Sequence, residues 1–255
     1  YFDRALFFVL GTSTPGAEKV VYNAMNSAWS MAANLFEPAF ENVAIPYENT
    51  TLPGWFLRAP GAKGPRPTII INNGSDAQNI DLYVYGGAAA IERGWNALIY
   101  EGPGQGANLF LNNMVFRPDW EKVVTPIVDF LSNRSDVDTR KIAISGWSFA
   151  GELVARAAAF ESRLAAVVLD PGYADPYMLF PSQLRSLAEA GDQATVNKIW
   201  QEAVVSRATP TEAFTLKKRL EIYTQQAHLE AMTGNVPSDW YTISRTMKQY
   251  NSTNL

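Results

Sequence analysis

The stretch Lys141-Ile142-Ala143-Ile144-Ser145-Gly146-Trp147-Ser148-Phe149-Ala150-Gly151 decides the fold. An apolar, β-branched run ends at Gly146, and a helix-friendly run, Glu152 to Phe160, follows at once. Ser148 stands between them at the tip of a turn flanked by small residues. This is the sequence form of a nucleophile elbow, in which a strained serine joins a strand to a closely approaching helix. Such a turn lifts the hydroxyl clear of the sheet, and the first amide of the helix, that of Phe149, faces any oxyanion formed on a carbonyl attacked by Ser148. The usual pattern is G-x-S-x-G. Here Ala150 takes the fifth place with Gly151 behind it, a mild departure because alanine is also small.

Outward from the elbow, strand and helix patterns alternate. Val43 to Tyr47 and Trp55 to Ala59 read as strands joined by a hairpin-like connection, 48–54. Thr68 to Asn72 is a continuous apolar run, as in a strand buried on both faces. Ile80 to Arg93 reads as helix, Asn96 to Tyr100 as strand, and Trp120 to Ser132 as helix with a kink at Pro126. Ile142 to Ile144 is the elbow strand and Leu164 to Leu169 the strand after it. The fold class expected is therefore α/β, a mostly parallel sheet with flanking helices. Residues 1–40 read as a helical segment, Ala17 to Phe36 having apolar residues near 3.6 spacing; Trp29 and Phe36 read as packing residues rather than ligand contacts, although such a segment could help roof a site. Residues 41–172 form the core. Residues 173–240, helical and amphipathic, read as a cap over the carboxyl ends of the strands, where open α/β sheets bind ligands. Residues 241–255 read as a return toward the core.

Composition narrows the partners. The chain has 255 residues, 47% hydrophobic and 18% charged, with a net charge of −4 and no basic cluster, so nucleic acid is not an expected partner. It has no cysteine, which removes disulfides, thiol catalysis and cysteine-ligated metal. No apolar run approaches the roughly 20 residues of a membrane span. A small-molecule substrate is expected, with no metal and no cofactor; the expected compartment is cytoplasmic, and a homodimer is left open. The first residue is Tyr1, as in a fragment or a processed product.

The residues that could carry chemistry follow from these elements. Asn72-Asn73-Gly74-Ser75-Asp76 follows the first long buried strand. Gly74 would let backbone approach a substrate, and the Ser75 amide is assigned as the second oxyanion donor beside that of Phe149. Asp76, which borders the pocket, reads as a helix cap, with orientation of the loop as the alternative. Glu101-Gly102-Pro103-Gly104-Gln105-Gly106 lacks the spacing and the Lys-Ser/Thr of a phosphate loop and reads as a tight loop lining the pocket floor. Met114, Phe116 and Trp120 read as core. Asp170 and Asp175 are strand-end turn residues in the plain reading and a displaced triad acid in the functional one. Asp136 and Asp138 read as turn residues. His228, the one histidine, reads as a polar cap residue; its alternative is a general base. Tyr173 and Tyr177 would line a pocket if the cap encloses one.

The motifs around Gly74, Glu101–Gly106, Arg117–Glu121, the elbow and Arg156–Ala166 resemble the α/β-hydrolase group of FrsA-like esterases, dihydroxy-pseudooxynicotine hydrolase and fungal hydrolases that shorten polyketide chains. The resemblance implies a Ser-Asp-His triad, no cofactor, and attack on a carbonyl carbon of an ester or a ketone. It also implies two further strands carrying the acid and the base, expected beyond residue 255, so that the usual triad is incomplete here unless Asp170 and His228 replace it. A peptidase or amidase of the same fold, and a non-catalytic binding protein, are the rival readings.

Overall fold

The computed structural model describes residues 1–9, 17–61, 63–171 and 182–200, with 202, 207–212 and 214. Among the described residues, six strands form one sheet in the order β1-β2-β4-β3-β5-β6. They are β1 (Glu41–Tyr47), β2 (Thr50–Leu57), β3 (Arg66–Asn72), β4 (Asn96–Tyr100), β5 (Val137–Trp147) and β6 (Ala166–Asp170). Strands β4, β3, β5 and β6 run parallel, while β1 and β2 add an antiparallel hairpin at one side. Burial follows directionality. All of β4 is buried, as befits a strand covered on both faces, whereas β1 alternates exposed and buried residues along its second half.

Helices α1 (Phe2–Val9) and α2 (Ala17–Ala33) precede the sheet. The stretch read as one helix after β3 is three pieces in sequence: α3 (Asn79–Leu82), a π-helical turn (Tyr83–Gly87) and α4 (Ala88–Glu92). Then come α5 (Gly106–Phe110), α6 (Glu121–Ser132), α7 (Ala150–Phe160), α8 (Ser182–Glu189) and α9 (Gln193–Ile199). Among the described residues, two apolar clusters hold the layers together. The larger includes Tyr22, Phe56, Ile70, Trp120, Val128, Ile144, Leu153 and, from the segment read as the cap, Leu184 and Trp200. The smaller gathers Trp29, Phe40, Trp55 and Leu57 with Ile71 and Ile99.

Three local expectations change. The β1–β2 connection is the two-residue Glu48-Asn49 turn, with Tyr47 facing Thr50, rather than the loop 48–54. Pro53 and Gly54 look like turn residues, but pairing with Ala44 and Val43 and the complete burial of Leu52 keep that segment in the strand. Asp138 lies within β5 instead of a turn, and Asp136 is tied by Arg58 at 2.7 Å and Arg134 at 3.0 Å. Gly106 begins α5, which the glycine pattern concealed and whose five residues are all buried. Helix α6 runs through Pro126 without a break in its span.

Candidate active site

The parallel register brings three strand ends to one edge: Asn72 pairs with Gly146, and Ile71 with both Ser145 and Ile99. Just past that edge Ser148 turns the chain from β5 into α7. Its φ is 58°, in the left-handed region that a side chain rarely occupies, and its amide donates to the Asp170 carbonyl at 2.7 Å. Ser148 is solvent-exposed, and Phe149 is the N-cap of α7. The crossing of strand and helix requires Gly146, where a Cβ would lie 2.2 Å from the Ala150 carbonyl oxygen. Ala150 itself is fully buried, so its methyl is part of the core.

The loop after β3 closes against this elbow. A Cβ on Gly74 would lie 2.7 Å from the Trp147 carbonyl oxygen, 3.0 Å from Ser148 Cβ and 3.1 Å from the Phe149 nitrogen. Only a glycine allows the two backbones to meet there. Asp76 does not cap the following helix. Gln78 is the N-cap and its amide donates to Asp81 at 2.8 Å, while the Asp76 carboxylate accepts from Ser75 Oγ at 3.1 Å.

A cavity of about 560 Å³ opens beside Ser148. Asn73, Gly74, Ser75, Asp76, Asp81, Tyr85 and Trp147 line it from the core, and Asp3, Arg4, Phe7 and Phe8 from α1. The rings of Tyr85 and Trp147 lie 5.5 Å apart with planes inclined by 31°. The α1 residues stand where a helical N-terminal segment could help roof a site, whereas nothing in the sequence singled out Tyr85, which is delivered by the π turn.

The loop 101–106 does not border this cavity. It lies beneath the loop that does. Gln105, 2% exposed, donates through Nε2 to the carbonyls of Asn73 and Gly74 at 2.6 and 3.1 Å, and its Oε1 accepts the Gly102 amide at 2.8 Å. Glu101 is buried and accepts from Tyr22 Oη at 2.6 Å, the Ala107 amide at 2.8 Å and Asn79 Nδ2 at 3.0 Å. Burial pushes the Glu101 carboxyl above its ordinary value, offset by the Tyr22 and Ala107 donors. Asn72 Oδ1 accepts from Trp120 Nε1 at 2.8 Å and from the Tyr100 hydroxyl, fixing the root of the same loop.

Of the other expected site residues, Asp170 ends β6 with its backbone carbonyl on the elbow and its side chain exposed. Tyr173, Tyr177, Asp175 and His228 lie outside the described residues. No helix among the described residues is long and apolar enough to cross a membrane.

The Asp3 carboxyl is pushed up to about 6, first by burial, then by the facing Asp81 carboxylate and the hydrogen bond between them; Arg4 offsets this in part. A folded value above the ordinary 3.8 means that docking of α1 is favoured most below about pH 4 and weakens as pH rises through 6. Amide exchange in α1 should therefore be slower at pH 5 than at pH 7.5, after correction for intrinsic rates. Asp3→Asn should remove the difference.

A parallel sheet with a left-handed serine between β5 and α7, and a glycine-bearing loop closing on it, defines the α/β-hydrolase fold. The chain belongs to the FrsA-like esterase family, whose model matches residues 17–189. It is 34% identical over 191 residues to hydrolase LUC6 of a Fusarium species, covering 71% of this chain and 45% of that protein. It is 33% identical over 178 residues to 20-hydroxy-prefusarin hydrolase FUS2 of Gibberella moniliformis, covering 67% of this chain and 41% of that protein. The chain thus spans less than half the length of these relatives. Among solved structures it is similar to 2,6-dihydroxy-pseudo-oxynicotine hydrolase, with TM-score 0.54, 23% identity, and 82% of this chain on 55% of the other. It is also similar to the α/β hydrolase GrgF from a Penicillium species, with TM-score 0.54, 17% identity, and 83% of this chain on 77% of the other.

Proposed function

We propose that the protein carrying this chain is a serine-dependent α/β hydrolase that attacks the carbonyl carbon of an apolar or aromatic small molecule, cleaving an ester or a C–C bond beside a ketone. The observation that carries this reading is Ser148 held at φ 58° at the mouth of the cavity. In the proposed reaction Ser148 Oγ bonds to the carbonyl carbon and its proton passes to a general base. The amides of Phe149 and Ser75 stabilise the oxyanion. Collapse expels an alcohol or a carbanion that takes up a proton, and water then hydrolyses the acyl-enzyme. This sequence draws on no cofactor. The resemblance implies an Asp and a His of the usual triad as acid and base; Asp170 and His228 of this chain are their substitutes only where those two are missing.

The walls support the apolar or aromatic part of the proposal. Tyr85 and Trp147 form one side and Phe7 and Phe8 another, so a flat unsaturated group can lie against the Tyr85–Trp147 pair. Tyr85→Ala in the full-length protein is expected to raise KM for aryl esters by about 2- to 10-fold, the worth of one aromatic contact, and to leave short alkyl esters nearly unchanged. Tyr85→Phe should behave as the parent. An equal rise for both ester classes would remove the aromatic assignment. A peptidase or amidase, and a binding protein without catalysis, are the alternatives; hydrolysis of aryl esters without cleavage of peptide amides separates all three.

A further inference from the structure

We infer that Gln105 is a positioning residue that sets the orientation of the second oxyanion amide. The inference rests on the proposed role of the Ser75 amide. The chemistry at Gln105 is unambiguous. Its oxygen faces the Gly102 N–H, which can only donate, and its nitrogen faces two carbonyls, which can only accept. Each peptide unit is planar and trans, so its C=O and N–H point in opposite directions. Holding the Asn73 and Gly74 carbonyls toward Gln105 therefore turns the amides of Gly74 and Ser75 to the opposite side of the loop. Gln105 lies beneath the loop and outside the cavity lining, whereas Asn73, Gly74 and Ser75 line the cavity. The two amides are thus turned to the cavity side, where adjacent N–H groups form a concavity for negative charge. The Gly74 backbone meets Ser148 and Phe149 there, which puts the loop within reach of an oxygen also bound by the Phe149 amide.

Glutamine is required because the position needs a donor and an acceptor at once. Glutamate of the same shape would set a carboxylate against two carbonyl oxygens and release the loop. Leucine would fill the space and hold nothing.

The test uses the full-length protein with an aryl ester that the parent hydrolyses, comparing Gln105→Leu and Gln105→Glu. Removing one oxyanion donor costs about 10²- to 10³-fold in kcat, so loosening one is expected to cost roughly 10- to 100-fold, with KM changed less than about 2-fold. Affinity for an aryl trifluoromethyl ketone, which forms a tetrahedral oxyanion adduct, should fall in parallel, whereas that for the product carboxylate should not. Gln105→Glu should recover activity relative to the parent as pH falls, because the protonated carboxyl regains a donor. Unchanged kcat and ketone affinity in folded variants would overturn the inference. So would failure of both variants to fold, which would make Gln105 a residue of the core alone. If the parent itself hydrolyses no ester and forms no ketone adduct, the proposed function fails and takes this inference with it; activity in the parent with unaltered variants sinks only the inference.

Discussion

Ser148→Ala in the full-length protein is expected to lower kcat for ester hydrolysis by roughly 10⁴-fold or more, the scale on which a nucleophilic serine acts with its base as a unit. The loss should come without loss of the fold. Ser148 is exposed, and its amide donates to the Asp170 carbonyl while its carbonyl accepts from the Gly151 amide, both backbone bonds that alanine keeps. The same position has a measurable strain. A side chain at φ 58° costs on the order of 1 kcal/mol that glycine avoids. Ser148→Gly should therefore be as inactive as Ser148→Ala and more stable than it by about 0.5–1 kcal/mol, read as a shift in the midpoint of denaturant unfolding at constant m. An inactive variant with a raised midpoint identifies a residue whose conformation serves chemistry at the expense of stability. If alanine leaves kcat intact, the hydroxyl is not the nucleophile.

The second large effect lies beneath the site. Glu101→Ala is expected to destabilise the protein by about 3 kcal/mol or more, because it strands three buried donors: the Tyr22 hydroxyl, the Ala107 amide and the Asn79 side-chain amide. For a domain of this size that is a fall in Tm of about 6–12 °C. Glu101→Gln should cost less, since it keeps the volume and one acceptor while turning an NH2 toward a donor. Activity should also fall, because Asn79 begins α3, directly after the loop that bears Gly74 and Ser75, and Asn108 Nδ2 holds the Glu101 carbonyl at 2.7 Å. Thermal unfolding of both variants, with kcat measured well below Tm, checks the order. A Glu101→Ala variant as stable as the parent would mean that these donors find water.

The elbow was legible in the sequence because its local rules are strict: a β-branched run, small residues at Gly146 and Ala150, then helix formers. The parallel strands were legible for a similar reason, since burial on both faces makes runs such as Thr68–Asn72 apolar throughout. The hairpin turn was misplaced because Pro53 and Gly54 carry turn chemistry while their pairing partners, Ala44 and Val43, are contributed by another segment. The position of Asp76 before a helix allows either a cap or a loop-orienting residue; the helix starts later and Gln78 with Asp81 closes it, while the Asp76 carboxylate accepts from Ser75 within the loop. Tyr85, Asp3 and Phe7 could not have been assigned to the cavity from spacing. A π turn shifts the face that a helix presents, and the docking of α1 depends on contacts distant in sequence. The role of Gln105 was hidden for the same reason: its partners, Asn73 and Gly74, lie more than thirty residues earlier.

Whether Ser148 is an activated nucleophile is decided by treating the full-length protein with a fluorophosphonate and mapping the adduct by peptide mass spectrometry. One phosphonyl group is expected on Ser148, formed with loss of ester hydrolysis and absent in Ser148→Ala. A folded protein that hydrolyses esters yet stays unlabelled at Ser148, or is labelled at another serine with inactivation, would contradict it.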